Sequence, residues 1–131
     1  MTTLPGLYIH IPFCLKKCAY CGFYSLTDLT LIPDFLAALR CEMSLNKDIH
    51  REFDTVYIGG GTPSVLGAAD VAQLIDDIQT TFTITPDAEI TLEANPGDID
   101  AGMLAAIRHT GVNRLNIGCQ SFDDNTLVFL A

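Results

Sequence analysis

Apolar and polar positions along this chain switch between two periods. Leu7 to Ile11, Thr55 to Ile58, Glu89 to Ala94 and Arg114 to Gln120 are short apolar runs or two-residue alternations, the pattern of β-strands. Between them the period lengthens to that of a helix. Ile32, Phe35, Leu36, Leu39 and Met43 share one helical face, as do Val71, Leu74, Ile75, Ile78 and Phe82. A third helix is predicted from about Asp100 to Thr110, with Gly111 as its stop, and a fourth from near Asp123, with Leu127 and Leu130 spaced to face a core. The order β-α-β-α-β-α-β implies right-handed crossovers and a parallel sheet.

The strand faces bear on whether that sheet stays open or closes. Glu89, Thr91 and Glu93 oppose Ile90, Leu92 and Ala94; Asn116, Gly118 and Gln120 oppose Leu115, Ile117 and Cys119; Tyr8 and His10 oppose Leu7, Ile9 and Ile11. A doubly wound sheet is covered on both faces and wants nearly continuous apolar strands. A row of polar side chains suits a barrel lumen that holds a ligand, so the pattern favours an α/β barrel over an open sheet. No internal repeat, low-complexity tract or linker marks a boundary. The fourth helix has barely begun at Ala131, so residues 1 to 131 are expected to be an incomplete domain whose C-terminal remainder is absent from this sequence, and to aggregate when isolated.

Composition supports a folded core: 49% of the 131 residues are apolar and 18% charged. The net charge of -9 is unevenly spread. Residues 1 to 53 carry five basic and five acidic side chains, whereas 54 to 131 carry two and eleven. Phosphate binding would need a basic stripe that the acidic half lacks, so nucleic acid is not an expected partner. Nothing approaches the ~18 to 20 apolar residues of a transmembrane segment, and the start lacks a secretion signal. A cytoplasmic location is the expectation.

Candidate chemistry begins with the cysteines. Five is an odd number for a disulfide framework, and Cys14, Cys18 and Cys21 crowd into a C-x3-C-x2-C run after the first strand, where parallel α/β folds place active sites. Three thiolates can hold three irons of a 4Fe-4S cluster and leave the fourth iron open. Structural zinc would want a fourth ligand and usually paired C-x2-C knuckles. His10 or Cys41 could be nominated, although Cys41 lies opposite the apolar stripe of its helix. Cluster, zinc and unligated thiols are the readings the spacing allows, in that order.

Gly59, Gly60, Gly61, Thr62 and Pro63 follow the second strand directly. Glycines there let the backbone approach a ligand, yet the segment matches neither G-x-G-x-x-G nor a Gly-Lys-Ser/Thr phosphate loop. Glu93 and Gln120 are predicted at the C-terminal ends of the third and fourth strands, where a carboxylate and an amide could take hydrogen bonds from ammonium or hydroxyl groups. Tyr8 and His10 fit either packing or ligand contact.

The segments YIHIPFCLKKCAYCGFYS, YIGGGTPS, LEANPG and NRLNIGCQSFDD resemble the successive motifs of radical S-adenosylmethionine proteins, in the branch of oxygen-independent coproporphyrinogen III oxidase and the HemW-type heme chaperone. The resemblance runs from about Tyr8 to Asp124. It implies a partial (β/α)6 barrel, of which this chain would be the first three and a half units. It also implies that Cys14, Cys18 and Cys21 bind a 4Fe-4S cluster and that Tyr8, Tyr20, Gly60, Gly61, Thr62, Glu93 and Gln120 contact S-adenosylmethionine; Cys119 matches no ligand, and its alternation onto the apolar face predicts a core residue. The oxidase motif has a further cysteine two residues after the third, where this chain has Phe23, and the oxidase carries an extension ahead of its cysteines. The resemblance therefore leans toward the heme chaperone, with heme or a porphyrinogen, a heme acceptor and an electron donor as implied partners. Heme itself would be held by the absent C-terminal part.

Overall fold

Ile9, Ile11, Val56, Ile58, Leu92 and Ala94 are alternate residues of successive strands, and each is nearly or wholly buried. They place one face of a four-stranded sheet against the helices. The computed structural model describes residues 4–50 and 52–130. Strands β1 (Gly6–Ile11), β2 (Glu52–Gly60), β3 (Thr83–Ala94) and β4 (Arg114–Ile117) are all parallel and lie in the order β1-β2-β3-β4. The register sets Tyr8 beside Tyr57, Tyr57 beside Thr91, and Glu93 beside Asn116. Among the described residues the strand order does not reverse, so these four strands contain no switch point of the doubly wound kind.

Helices α1 (Ile32–Asn46), α2 (Ala68–Thr81) and α3 (Ala101–His109) bridge consecutive strands, and α4 (Asp124–Leu130) follows β4. The α1 helix starts with Pro33 and Asp34 in its first turn, where a missing N–H costs nothing and a carboxylate meets the positive end of the helix. Its buried residues are Leu36, Leu39 and Met43. In α2 the stripe is Val71, Leu74, Ile75 and Ile78, and α2 packs against both α1 and α3 over the apolar sheet face. Phe82, just past α2, meets Phe53 of β2 edge-on at 5.3 Å. Burying each such aliphatic or aromatic side chain contributes about 1.5 to 3 kcal/mol. Asp100 caps α3 by accepting from the Met103 N–H at 2.7 Å, and Gly111, at φ 109°, ends it. Asn113 then fixes where β4 begins: its amide accepts from Ile90 N–H at 2.9 Å and donates to Ala88 O at 2.8 Å, standing in for a strand partner.

Four expectations from the sequence need correcting. The third strand starts at Thr83 rather than Glu89, because its first half carries Pro86 and Asp87, residues that argue against a strand; the pairing with β2 slips between Phe53 and Thr55 to absorb them. The fourth strand stops at Ile117 instead of reaching Gln120, since Cys119 N–H and Ser121 N–H turn back on Ile117 O and Cys119 O and Gln120 takes a left-handed φ of 61°. Cys119 is accordingly half-buried beyond the strand, with its thiol toward Ser121 O at 3.3 Å, and is not one of the core residues. Finally, α4 buries none of its residues, so Leu127 and Leu130 face no core among the described residues.

Among the described residues β4 has a strand partner on one side only, its last residue Ile117 is exposed, and so are Phe122, Val128 and Phe129 in the segment that follows it. An open parallel edge flanked by apolar side chains is a template for association. Residues 1–131 expressed alone are therefore expected to self-associate on size-exclusion chromatography. A monodisperse monomer that unfolds cooperatively would show the edge to be harmless.

Candidate functional site

The C-terminal ends of the strands converge on one cavity of about 510 Å³, which the cysteine loop also lines. That loop is anchored before its first cysteine. Phe13 is 1% exposed and packs edge-on against Phe35 at 5.4 Å, so Cys14 leaves a fixed point. The base of the loop is tied by Cys14 N–H to Leu26 O at 2.9 Å and Leu26 N–H to Pro12 O at 2.7 Å. Across the loop, Lys17 donates to Phe23 O and to Ser25 Oγ. A turn with Cys21 N–H on Cys18 O at 3.1 Å sets the second and third thiols.

The glycine turn docks beneath this loop by continuing the β1-β2 pairing. Gly61 N–H donates to Ile11 O at 2.8 Å and Thr62 N–H to Phe13 O at 2.7 Å. A Cβ on Gly61 would fall 2.6 Å from Phe13 O and 3.0 Å from Cys14 Sγ, so only glycine allows this approach. From the turn, Thr62 Oγ1 donates to Cys14 Sγ at 3.4 Å while accepting from Asn95 Nδ2 at 3.4 Å; Asn95 N–H donates to Ser64 Oγ, which donates to Asp98. Buried Thr62 and Ser64 thus link the loop after β3 to the first cysteine.

On the polar face of the sheet, Glu93 is held by three donors. Its Oε1 accepts from the Tyr57 hydroxyl at 2.5 Å and Asn116 Nδ2 at 3.2 Å, and its Oε2 from Gly60 N–H at 3.0 Å. The bond to Glu93, then lost hydration, push the Tyr57 hydroxyl above its ordinary pKa. Partial burial and then the Glu93 charge raise Tyr8 in the same direction. Tyr20 is also raised, by lost hydration first and then by its contact with Cys18 and the charge of Cys18 and Cys21.

Cys14, Cys18, Cys21, Tyr20, Gly60, Gly61, Thr62, Glu93 and Gln120 all line the one cavity. Tyr8 does not: it lies below on β1, hydrogen-bonded to His10 Nδ1 at 3.0 Å and stacked on Tyr57. Cys41 is exposed on α1 and does not line the cavity. Tyr57 and Asn95 are not among the site residues that the sequence predicts, and Asn116 is predicted only to lie on the polar strand face. Tyr57 carried a usable signal, since it shares the face of Gly59 along β2; Asn95 follows a strand end and carried none.

Among the described residues no three His, Cys, Asp or Glu side chains converge where one metal ion would sit. A closed structural zinc centre takes four protein ligands, usually from paired C-x2-C knuckles, whereas three thiols line this cavity among the described residues. A cluster takes one thiolate per iron, and the three free thiols lining this one cavity could serve three irons and leave the fourth open.

The model of the radical SAM superfamily matches residues 8–130. The chain belongs to this superfamily. Membership of the radical SAM superfamily implies a 4Fe-4S cluster and S-adenosylmethionine. Among characterised proteins, the chain is similar to the heme chaperone HemW of Escherichia coli, 41% identical over 135 residues and 97% of this chain, and to that of Mycobacterium tuberculosis, 42% identical over 131 residues and 95% of this chain. Its fold is that of the solved radical SAM enzyme coproporphyrinogen III oxidase (HemN) from Escherichia coli, with a TM-score of 0.88, 32% identity and 98% of this chain covered. The four parallel strands and their helices are thus a part of the radical SAM barrel. The chain spans about a third of the length of these relatives, 35% and 34% of the two chaperones and 31% of the oxidase. No helix among the described residues is long and apolar enough to cross a membrane.

Proposed function

We propose that residues 1–131 are the first part of a radical SAM core in a heme chaperone, a protein that binds heme and passes it to an acceptor protein. In this reading Cys14, Cys18 and Cys21 hold a 4Fe-4S cluster, and S-adenosylmethionine lies in the cavity against Tyr20, Gly60, Gly61, Thr62, Glu93 and Gln120, with Tyr8 behind them. The observation that carries it is the meeting of three free thiols, a glycine turn and an oriented carboxylate in one cavity. Heme chaperones at around 40% identity support the choice within the superfamily. A cluster held by Cys14, Cys18 and Cys21 would supply the one-electron reductive cleavage of S-adenosylmethionine. The chain's own residues bind and orient. Glu93 offers a carboxylate to the donors of the cofactor, the glycine turn brings backbone groups against it, and the cysteine loop sets the three thiols at the cavity's edge. Heme or a porphyrinogen would be met by residues outside this sequence, and reduction would require an electron donor; a cytoplasmic location completes the reading.

Glu93→Ala in the whole protein is expected to weaken S-adenosylmethionine binding by about tenfold or more while leaving iron and sulfide content unchanged, because Glu93 touches none of the three thiols. Anaerobic titration of the reconstituted protein measures this, and unaltered binding would remove Glu93 from the site. The structural likeness to HemN favours a second reading, an oxygen-independent coproporphyrinogen III oxidase. An anaerobic coproporphyrinogen assay run beside a heme titration separates the two: vinyl formation carries the oxidase, tight heme binding without it the chaperone.

A further inference from the structure

Glu93 is the centre of a closed donor set on the polar sheet face, and that set contains two residues outside the cofactor contacts. A carboxylate has about four lone-pair sites. Two on Oε1 are taken by the Tyr57 hydroxyl at 2.5 Å and Asn116 Nδ2 at 3.2 Å, and one on Oε2 by Gly60 N–H at 3.0 Å. Asn116 Nδ2 also donates to the Tyr57 hydroxyl at 2.7 Å, which leaves that hydroxyl proton to Glu93. Gly59 is what lets the set close. A Cβ there would stand 2.7 Å from Tyr57 Cε1 and 2.9 Å from Glu93 Oε2.

We infer that Tyr57, oriented by Asn116, is a positioning residue that locks the Glu93 carboxylate with the remaining lone pair of Oε2 as its open acceptor for a cofactor ammonium or hydroxyl donor. The inference rests on the proposed role of Glu93 and deepens it: one oxygen is committed to the protein, and the ligand receives a single acceptor of fixed direction. The raised pKa of Tyr57 keeps its proton in place near neutral pH. Stacking of the Tyr57 ring against Tyr8 at 6.1 Å holds the hydroxyl at this height on the sheet, so Tyr8 acts on the site through Tyr57.

The test is a double-mutant cycle in the whole reconstituted protein, with S-adenosylmethionine dissociation constants and the cofactor-induced change in the electron paramagnetic resonance of the reduced cluster as readouts. Tyr57→Phe keeps the stacked ring and removes only the donor. It is expected to weaken binding about tenfold, the effect of losing one hydrogen bond to a charged group, with cluster content unchanged. In a Glu93→Ala background Tyr57→Phe is expected to have no further effect, because its only route to the ligand is gone. No loss in the Tyr57→Phe single variant, or an equal loss in both backgrounds, overturns the inference while Glu93 keeps its role. Unchanged binding in Glu93→Ala alone would instead overturn the reading of the site beneath it.

Discussion

Cys18→Ala in the whole protein is expected to abolish the bound cluster, taking iron and sulfide from about four each per chain to traces, with loss of the visible charge-transfer absorption. Cys14, Cys18 and Cys21 are free, half-buried and on one cavity, and neither other cysteine is placed to substitute: Cys41 is exposed on α1, and the thiol of Cys119 is turned toward Ser121 O. Two thiolates cannot hold a cluster that three hold with one iron open. Folding should be spared. The loop around Cys18 is tied by Cys14, Leu26 and Lys17 rather than by the Cys18 side chain, so far-ultraviolet circular dichroism should be unchanged. Anaerobic reconstitution with iron and sulfide analysis reads the result. One zinc per chain without coloured absorption in the unaltered protein would overturn the cluster reading.

Gly61→Ala is expected to damage fold and site together. The added Cβ meets a backbone oxygen, Phe13 O, at 2.6 Å, and backbone cannot swing aside as a side chain end can. Relief requires parting the glycine turn from the chain after β1, which breaks the Gly61 to Ile11 and Thr62 to Phe13 hydrogen bonds. Overpacking and two lost bonds together cost about 3 kcal/mol. The same movement displaces Cys14, whose Sγ is 3.0 Å from the new methyl, so cluster loading should fall as well. Gly97→Ala is the matched control. Nothing lies within 4 Å of its Cβ position, so its stability should stay within about 0.5 kcal/mol of the parent in denaturant titration. Equal midpoints for the two variants would show that the turn is soft and that its glycines are not needed for close approach.

The periodicities of Leu7 to Ile11, of Val71 to Ile78 and of Ile90 to Ala94 determined the element order, the parallel sheet and which face of it is buried, because burial of an apolar face is a local property of spacing. The spacing of Cys14, Cys18 and Cys21 and the run from Gly59 to Pro63 likewise marked the cavity, since both segments directly follow strands and parallel strands bring their ends together. Element ends were less legible. Pro86 hid the first half of β3, which is sustained by a slipped pairing with β2, and Gly118 to Gln120 read as strand although backbone turns end β4 at Ile117.

What only the tertiary structure decided is which polar groups find each other. Glu93, Tyr57 and Asn116 lie 36 and 59 residues apart along their hydrogen bonds, on three different strands, and meet because the register sets Tyr57 near Glu93 and Glu93 beside Asn116. The same holds for Thr62 on Cys14 and Asn95 on Thr62. A side chain's residue type shows what it can donate or accept, but its partner is chosen by strand pairing and loop closure, which are long-range and leave no period in the chain.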